Sequence, residues 1–525
     1  MVLVPFLKVS GVILGALLTQ SACSTETDQT KQTPNHHQAP VVTNRASHPE
    51  TNRWYQSGRE KIKALQAATH FPQQAKNVIF FVGDGMSLTT ITAARIYQGQ
   101  QQGQAGEDNQ LSFEKFPYTA ISKTYNTNLQ TPDSAGTMTA MITGIKTKAG
   151  AISVDEFIDI GVCGDKKHHI PSLLSQAEMS GMNTGIITTT RLTHATPAAT
   201  YAHSESRNWE ADSDMPRAAA DCKDIAAQLI DYPHGDGLEI AMGGGRRNFL
   251  PDTTQDPEYP LTKKGDRSDK RDLTADWLKK YPNPAYVWNL EQLKAVDLSS
   301  IEHLLGLFEP SHMQYELNRH KDKAGEPSLV DMTRTAIQML QTKDQPFFLM
   351  IEGGRIDHSH HAGKAKSALH ETVKLSEAVE QALSMVDLNE TLIIVTADHA
   401  HTLSMNGYAQ RGNPILGKIV VPDEQGNPSD KYQLDAQGLP MTTLSYANGP
   451  GYINGNQRPD LTHVDTTADD YKQAATLPMH SETHSGEDVV IYATGAGSHL
   501  VRGVLEQNMI YHIMKTALKK QLQHN

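Results

Sequence analysis

The 525-residue chain carries a formal net charge of −12, with 38% hydrophobic and 20% charged residues, the balance of an ordinary globular protein. The acidic excess leaves no basic stripe for a phosphodiester backbone and argues against a nucleic-acid partner. An anionic substrate would have to be drawn by local cations, and bound metal ions would supply them. A chain of this length buries a large core, as one big α/β domain with insertions or as roughly two to three domains.

Lys8 precedes the short apolar run Val12-Ile13-Leu14-Gly15-Ala16-Leu17-Leu18, too short to span a bilayer but suited to the core of an export signal. Ser21-Ala22-Cys23 then resembles the end of a bacterial lipoprotein signal, so residues 1–22 are expected to be a signal peptide and Cys23 the lipidated residue. Gln20 stands where an aliphatic residue is usual, which leaves ordinary cleavage and release as the alternative. Residues 23–52 are polar, without apolar periodicity, and are expected to form a tether. No later segment is apolar enough to cross a membrane. With Cys23 set aside, two of the three cysteines remain, Cys163 and Cys222. They form a disulfide in an oxidising compartment, or stand as two isolated buried thiols.

A helix is expected over residues 53–68, then a strand at Asn77–Gly83 leading into Asp84, and a helix over 86–97. Ser134, in Pro132-Asp133-Ser134-Ala135-Gly136, opens a further helix whose N-terminal dipole would face a nucleophile there. Strands follow at 184–190 and 238–242. The run Phe347-Phe348-Leu349-Met350-Ile351 leads into Glu352, Asp357 and His361, and Leu392-Ile393-Ile394-Val395-Thr396-Ala397 leads into Asp398 and His399. Between them Leu369, Val373, Val379 and Leu383 keep near-helical spacing. His484 precedes the strand Val489-Val490-Ile491-Tyr492.

Short apolar runs ending in polar residues suit buried parallel strands, and such sheets, covered by helices on both faces, bind ligands beyond their strand carboxyl ends. Asp357 and His361 stand one helical turn apart and can face one ion. Several such endings bearing carboxylate or imidazole, with a serine among them, point to a multi-metal hydrolytic site with a serine nucleophile. Two stretches break the alternation, about 246–330 and 402–480. Both are expected as insertions, because metal-type motifs resume after each.

Taken together, Val82-Gly83-Asp84-Gly85-Met86, Pro132-Asp133-Ser134-Ala135-Gly136, Thr193-His194-Ala195-Thr196-Pro197, Glu352-Gly353-Gly354-Arg355-Ile356-Asp357-His358, Thr396-Ala397-Asp398-His399 and Glu482-Thr483-His484-Ser485-Gly486-Glu487 resemble the animal-type branch of the alkaline phosphatase family. The resemblance runs from about Trp54 to the last helix. It implies an α/β core over 53–401 and 481–525, with a large, mostly parallel sheet carrying the metal site at its strand ends. It also implies that the 402–480 insertion is a crown-like region through which such enzymes form homodimers.

Motif by motif, the resemblance implies one zinc held by Asp357, His361 and His484, and a second held by Asp398 and His399. Asp84 would bridge from the second zinc to a magnesium, which Thr196 and Glu352 would also bind. Ser134 would be the nucleophile, and Arg207 would grip the phosphate's non-bridging oxygens. His194 and His358, standing where enterobacterial relatives carry Asp and Lys, are expected as hydrogen-bonding neighbours of the third ion that weaken magnesium relative to zinc. Glu258, the Phe308 carbonyl, Glu309 and Glu326 resemble the animal enzymes' calcium ligands, an all-oxygen set suited to a hard cation. Cys163 and Cys222 lie in segments like those of the relatives' paired cysteines. The polar, basic end Thr516-Ala517-Leu518-Lys519-Lys520-Gln521 differs from the animal enzymes' apolar anchor signal, so any anchor is expected at Cys23.

The expected activity is hydrolysis of phosphate monoesters through a covalent phosphoserine, outside the cytoplasm: in the periplasm or on the cell surface. A sulfatase would need a Cys-x-Pro-x-Arg-like motif, absent around Ser134. Diesterases of related fold usually carry Thr as nucleophile and lack the Arg207 clamp. A catalytically silent phosphate- or metal-binding protein would not need Ser134 intact.

Overall fold

The computed structural model describes residues 53–67, 71–219, 221–453 and 458–523. The expected signal, Cys23 and the tether lie outside these residues. The chain divides into an N-terminal unit ending at Thr69, whose described part is the helix Arg53–Ala67, and a unit from His70 to Asn525. Among the described residues no helix is long and apolar enough to cross a membrane.

The larger unit contains the strands β1 (Asn77–Gly83), β2 (Tyr118–Lys123), β3 (Asn183–Arg191), β4 (Ile240–Gly244), β5 (Pro284–Val287), β6 (His303–Leu307), β7 (Phe347–Gly353) and β8 (Thr391–Ala397). After these come β9 (Ala400–His401), β10 (Leu403–Met405), β11 (Leu444–Gly449), β12 (Ala475–Pro478), β13 (His484–Ser485), β14 (Val489–Gly495) and β15 (Gly503–Glu506). Ten of them form one sheet in the order β15-β2-β14-β8-β1-β7-β3-β4-β6-β5. From β8 to β5 every pairing is parallel. β14 runs antiparallel to both β8 and β2.

β1, β7, β8 and β14 are buried along their whole length, which is why they read as unbroken apolar runs. Successive residues of β1 feed opposite cores: Val78, Phe80 and Val82 enter one, Ile79 and Phe81 the other, as the two-residue period of a strand requires. The first core is closed by the helices Ser134–Thr143, Leu173–Met179, Ile225–Ile230 and Met509–Ala517. Leu88–Gln101, Leu329–Gln341 and Ala365–Leu383 close the second. The helix expected from residue 86 starts at Leu88 because Ser87 caps it, its side chain accepting from Thr90 N.

The stretch 246–330, expected as an insertion, contributes β5 and β6 to the edge of the large sheet. Residues 402–480 carry β10, β11 and β12 as a separate three-stranded sheet. At the foot of that region β9 pairs with β13, placing His401 opposite His484. Cys163 and Cys222 form a disulfide, 5.8 Å between Cα atoms and 59 residues apart, rather than two isolated thiols. Closing a loop of that size stabilises by about 4 kcal/mol in the chain-entropy account.

Candidate active site

Much of the site is delivered at the carboxyl ends of the parallel strands. β1 delivers Asp84, then turns through Gly85 at φ +68°, a left-handed conformation that suits glycine. A Cβ there would lie 2.4 Å from the His401 ring. β7 delivers Glu352, and the helix Arg355–His361 behind it presents Asp357 and His361. β8 leads to Asp398 and His399, while β9 and β13 supply His401 and His484. Beyond β3, His194 precedes the short helix Ala195–Ala198, which bears Thr196. Ser134 is the first residue of its helix, capped by Asp133, whose Oδ1 accepts from Gly136 N at 3.1 Å.

Three groups of ligand-type atoms form, each within 4.8 Å: Asp357, His361, His401 and His484; Asp84, Asp398 and His399; and Asp84, His194 and Glu352. Asp84 belongs to two of them. In the first group His361 Nε2 and His484 Nε2 each lie 3.3 Å from Asp357 Oδ1 and 3.2 Å from one another. Their outer nitrogens are engaged elsewhere. His361 Nδ1 lies 2.5 Å from the Glu482 carbonyl, and His484 Nδ1 2.8 Å from that of Pro132. A carbonyl can only accept, so each Nδ1 donates and both Nε2 lone pairs point inward, the orientation a metal ion needs.

In the second group His399 Nε2 lies 3.4 Å from both Asp84 Oδ1 and Asp398 Oδ2. The buried Ser134 hydroxyl is 3.1 Å from His399 Nε2 and 3.5 Å from Asp84 Oδ1. Burial and the neighbouring carboxylates push Asp84 and Asp398 upward, and burial takes Glu352 up to about 7. Asp357 is held well below the carboxylate range, since the surrounding imidazoles outweigh burial. Asp84 Oδ2, Thr196 Oγ1, Glu352 Oε1 and His399 Nδ1 are buried without a hydrogen-bond partner. Buried polar atoms are rarely left so. Mutually repelling carboxylates and orphaned donor atoms of this kind fit bound cations, with imidazole favouring zinc and the oxygen-rich third group also suiting magnesium.

Arg207 donates from Nη1 to Asp133 Oδ2 at 3.1 Å, and its Nη2 lies 3.0 Å from His194 Nε2. His194 Nε2 thus accepts from Arg207, a hydrogen-bonding role, while the ring stands within 4.8 Å of the Asp84 and Glu352 ligand atoms. His358 Nδ1 accepts from Arg355 Nη1 at 3.0 Å, and its ring packs 4.2 Å from that of His312.

The structure also brings in residues that the motifs did not single out. His401 sits between Asp357 and Glu482, with Nε2 2.7 Å from the first and Nδ1 2.5 Å from the second. Burial opposes its charge, yet these two hydrogen bonds take it up to about 10. The signal was there in Asp398-His399-Ala400-His401, where alternation puts both histidines on one side of an extended chain. His312 carried no comparable sequence signal.

On the 246–330 stretch, Glu258, Glu309 and Asp322 form a fourth group within 4.8 Å. Asp322 is a member beyond the expected ligands, and Glu326 accepts from Gln314 N through Oε1 at 2.9 Å. Burial, with Glu309 and Asp322 nearby, pushes Glu326 up to about 9. Phe308 is buried beside Glu309 in the chain. Glu258 Oε1, both Asp322 oxygens and Glu326 Oε2 have no partner, so this all-oxygen set also fits a hard cation.

The alkaline phosphatase family model matches residues 75–520. Curated relatives include the tissue-nonspecific alkaline phosphatase isozyme of Gallus gallus, 44% identical over 91% of this chain and 91% of that protein. The Homo sapiens isozyme is 42% identical over 88% of each, and the Gadus morhua alkaline phosphatase 42% identical over 89% of this chain and 97% of its own. Among solved structures, Thermus thermophilus alkaline phosphatase superposes with a TM-score of 0.60 at 23% identity, covering 87% of this chain and 94% of that one. That of the Antarctic bacterium TAB5 gives 0.56 at 21%, covering 85% and 98%. A family model spanning most of the chain and relatives above 40% identity along nearly its whole length agree with one another. The chain belongs to the alkaline phosphatase family and is a phosphomonoester hydrolase.

Proposed function

We propose that the enzyme works by double displacement through a phosphoserine at Ser134. Asp357, His361 and His484 would hold one zinc and Asp84, Asp398 and His399 a second; Asp84, Thr196 and Glu352, with His194 alongside, would hold magnesium. The observation that supports this most is the Ser134 hydroxyl, 3.5 Å from the one carboxylate shared by two ligand groups and 3.1 Å from His399. When bound, the ions supply Lewis acidity that stabilises charge on the attacking and leaving oxygens.

The chain's own residues do the positioning. Asp133 ties nucleophile and clamp together: Oδ1 caps the Ser134 helix, while Oδ2 accepts from Gly150 N at 2.9 Å and from Arg207 Nη1 at 3.1 Å. Arg207 is thereby held as a fork for two phosphate oxygens. Ser134 contacts His399, and the His484 ring stacks on that of His399 at 3.6 Å, so the first ligand group adjoins the one beside the nucleophile. The leaving alcohol departs towards the first group, where a cavity of about 820 Å³ bounded by His361 and His484 opens outward. Water then enters from the vacated side and cleaves the phosphoserine. We also infer export to the periplasm or cell surface, anchored or released at Cys23, and homodimerisation through the 402–480 region.

Arg207→Ala tests the substrate class. It should lower kcat/KM for a monoester dianion by roughly 100-fold or more, and far less for a diester, which lacks the second charge. Equal loss on both would contradict the assignment. For the fourth group we infer a structural calcium held by Glu258, Glu309 and Asp322, with the Phe308 carbonyl and Glu326 beside them. Glu309→Ala should lower the thermal midpoint in calcium and leave zinc content unchanged. Collapse of turnover with stability intact would count against a structural role.

A further inference from the structure

Behind the first ligand group stands a second layer of side chains, partly drawn from the inserted region. The His401 ring, pinned between Asp357 and Glu482, is backed by His360, whose ring stacks on it at 4.8 Å and 28°. His360 is fully buried, with Nε2 3.0 Å from Thr90 Oγ1 and Nδ1 2.8 Å from Tyr446 Oη. Tyr446 is 2% exposed and lies on β11, inside the 402–480 region.

We propose that Tyr446 is a positioning residue for the first zinc, acting through His360 and His401 to aim the Asp357 carboxylate. The inserted region thus governs how firmly that ion is held. Removing the hydroxyl strands a buried His360 nitrogen and frees its ring to pivot. His401 then loses the flat surface that fixes its plane, and the Nε2 contact to Asp357 loosens. Partners behind a metal ligand commonly change metal affinity by about 10–100-fold. The region also ties down the chain that follows the ligand helix, Gln473 N donating to the Gly363 carbonyl at 3.0 Å, and just beyond the region the Glu482 backbone donates to the His361 carbonyl at 3.0 Å.

The proposal rests on Asp357, His361 and His484 being zinc ligands, and the test separates the two ideas. Zinc-loaded enzyme is mixed with a chromogenic zinc chelator, and release is followed alongside activity. In Tyr446→Phe one phase of release should quicken about tenfold, the other should be unchanged, and activity lost at limiting zinc should return with excess zinc. Thr90→Val, which removes the other His360 partner, should shift the same phase; Thr90→Ser, which keeps the hydroxyl, should not. Tyr408→Phe, at an exposed position of the same region, should match the parent enzyme. A merely structural Tyr446 would lower the melting temperature and leave both release phases alone. Release curves of Tyr446→Phe and Thr90→Val that superimpose on the parent's overturn the proposal. Should Tyr446→Phe not fold, the Thr90 pair decides. Parent enzyme that releases no zinc overturns the metal assignment, and this proposal with it.

Discussion

Ser134→Ala is expected to lower kcat/KM for phosphate monoesters by at least about 10³-fold. The lost hydroxyl is the one that the helix N-terminus and the Asp133 cap aim at the junction of Asp84 and His399. No neighbouring group can form the covalent intermediate from the same place. Some activity should remain, because Arg207 and the cations that the carboxylate-imidazole groups would hold still stabilise the charge of a direct attack by water. Thermal stability should change little, since the helix keeps its cap. Initial rates, with acid quenching of enzyme incubated with labelled substrate, measure both points. A variant within tenfold of the parent, or one that still traps label on the protein, would contradict the role of Ser134.

Stripping the metals should abolish turnover and reverse the way stability depends on pH. In the metal-free protein Asp84, Asp398 and Glu352 are pushed upward by burial and mutual repulsion, Glu352 to about 7. The folded state then binds more protons than the unfolded state, so stability falls as pH rises from the ordinary carboxylate range to about 7. Glu352 alone accounts for about 3 kcal/mol of that loss. Asp357 behaves oppositely: its depressed value adds stability that is lost only as pH falls below the carboxylate range. Bound cations remove the penalty on the first three. The apoprotein should therefore melt at falling temperatures from pH 5 to neutrality while the metal-loaded enzyme does not, and zinc with magnesium should restore activity. Parallel melting profiles with and without metals would show that these carboxylates do not hold ions.

Much of this architecture is visible in the chain because its central strands are buried on both faces. β1, β7, β8 and β14 are then largely apolar, and the acidic residues at the ends of the three parallel ones, Asp84 and Asp398 just past β1 and β8 and Glu352 near the end of β7, mark where the site begins. The four-residue spacing of Asp357 and His361 survives translation into one helix turn. What stays hidden depends on tertiary pairing. β5, half-buried and opening on Pro284, carries no strong pattern of its own and exists because β6 pairs with it at the sheet edge. The antiparallel direction of β14 has no mark in its composition. Asp322 joins Glu258 and Glu309 in the oxygen cluster, a closeness in space that residue spacing around His320 does not reveal. His401 and Glu482 become partners only when β9 meets β13 across an intervening region that local pattern cannot bridge.

The claim on which the rest depends is that phosphorus is displaced twice, first by Ser134 and then by water entering where the alcohol left. Each in-line displacement inverts phosphorus, so two of them retain its configuration. The direct measurement is the stereochemical course of phosphoryl transfer from a chiral, isotopically labelled phosphate monoester to an alcohol acceptor. Net retention is the expected result. Net inversion would mean a single direct displacement and would contradict the phosphoserine mechanism.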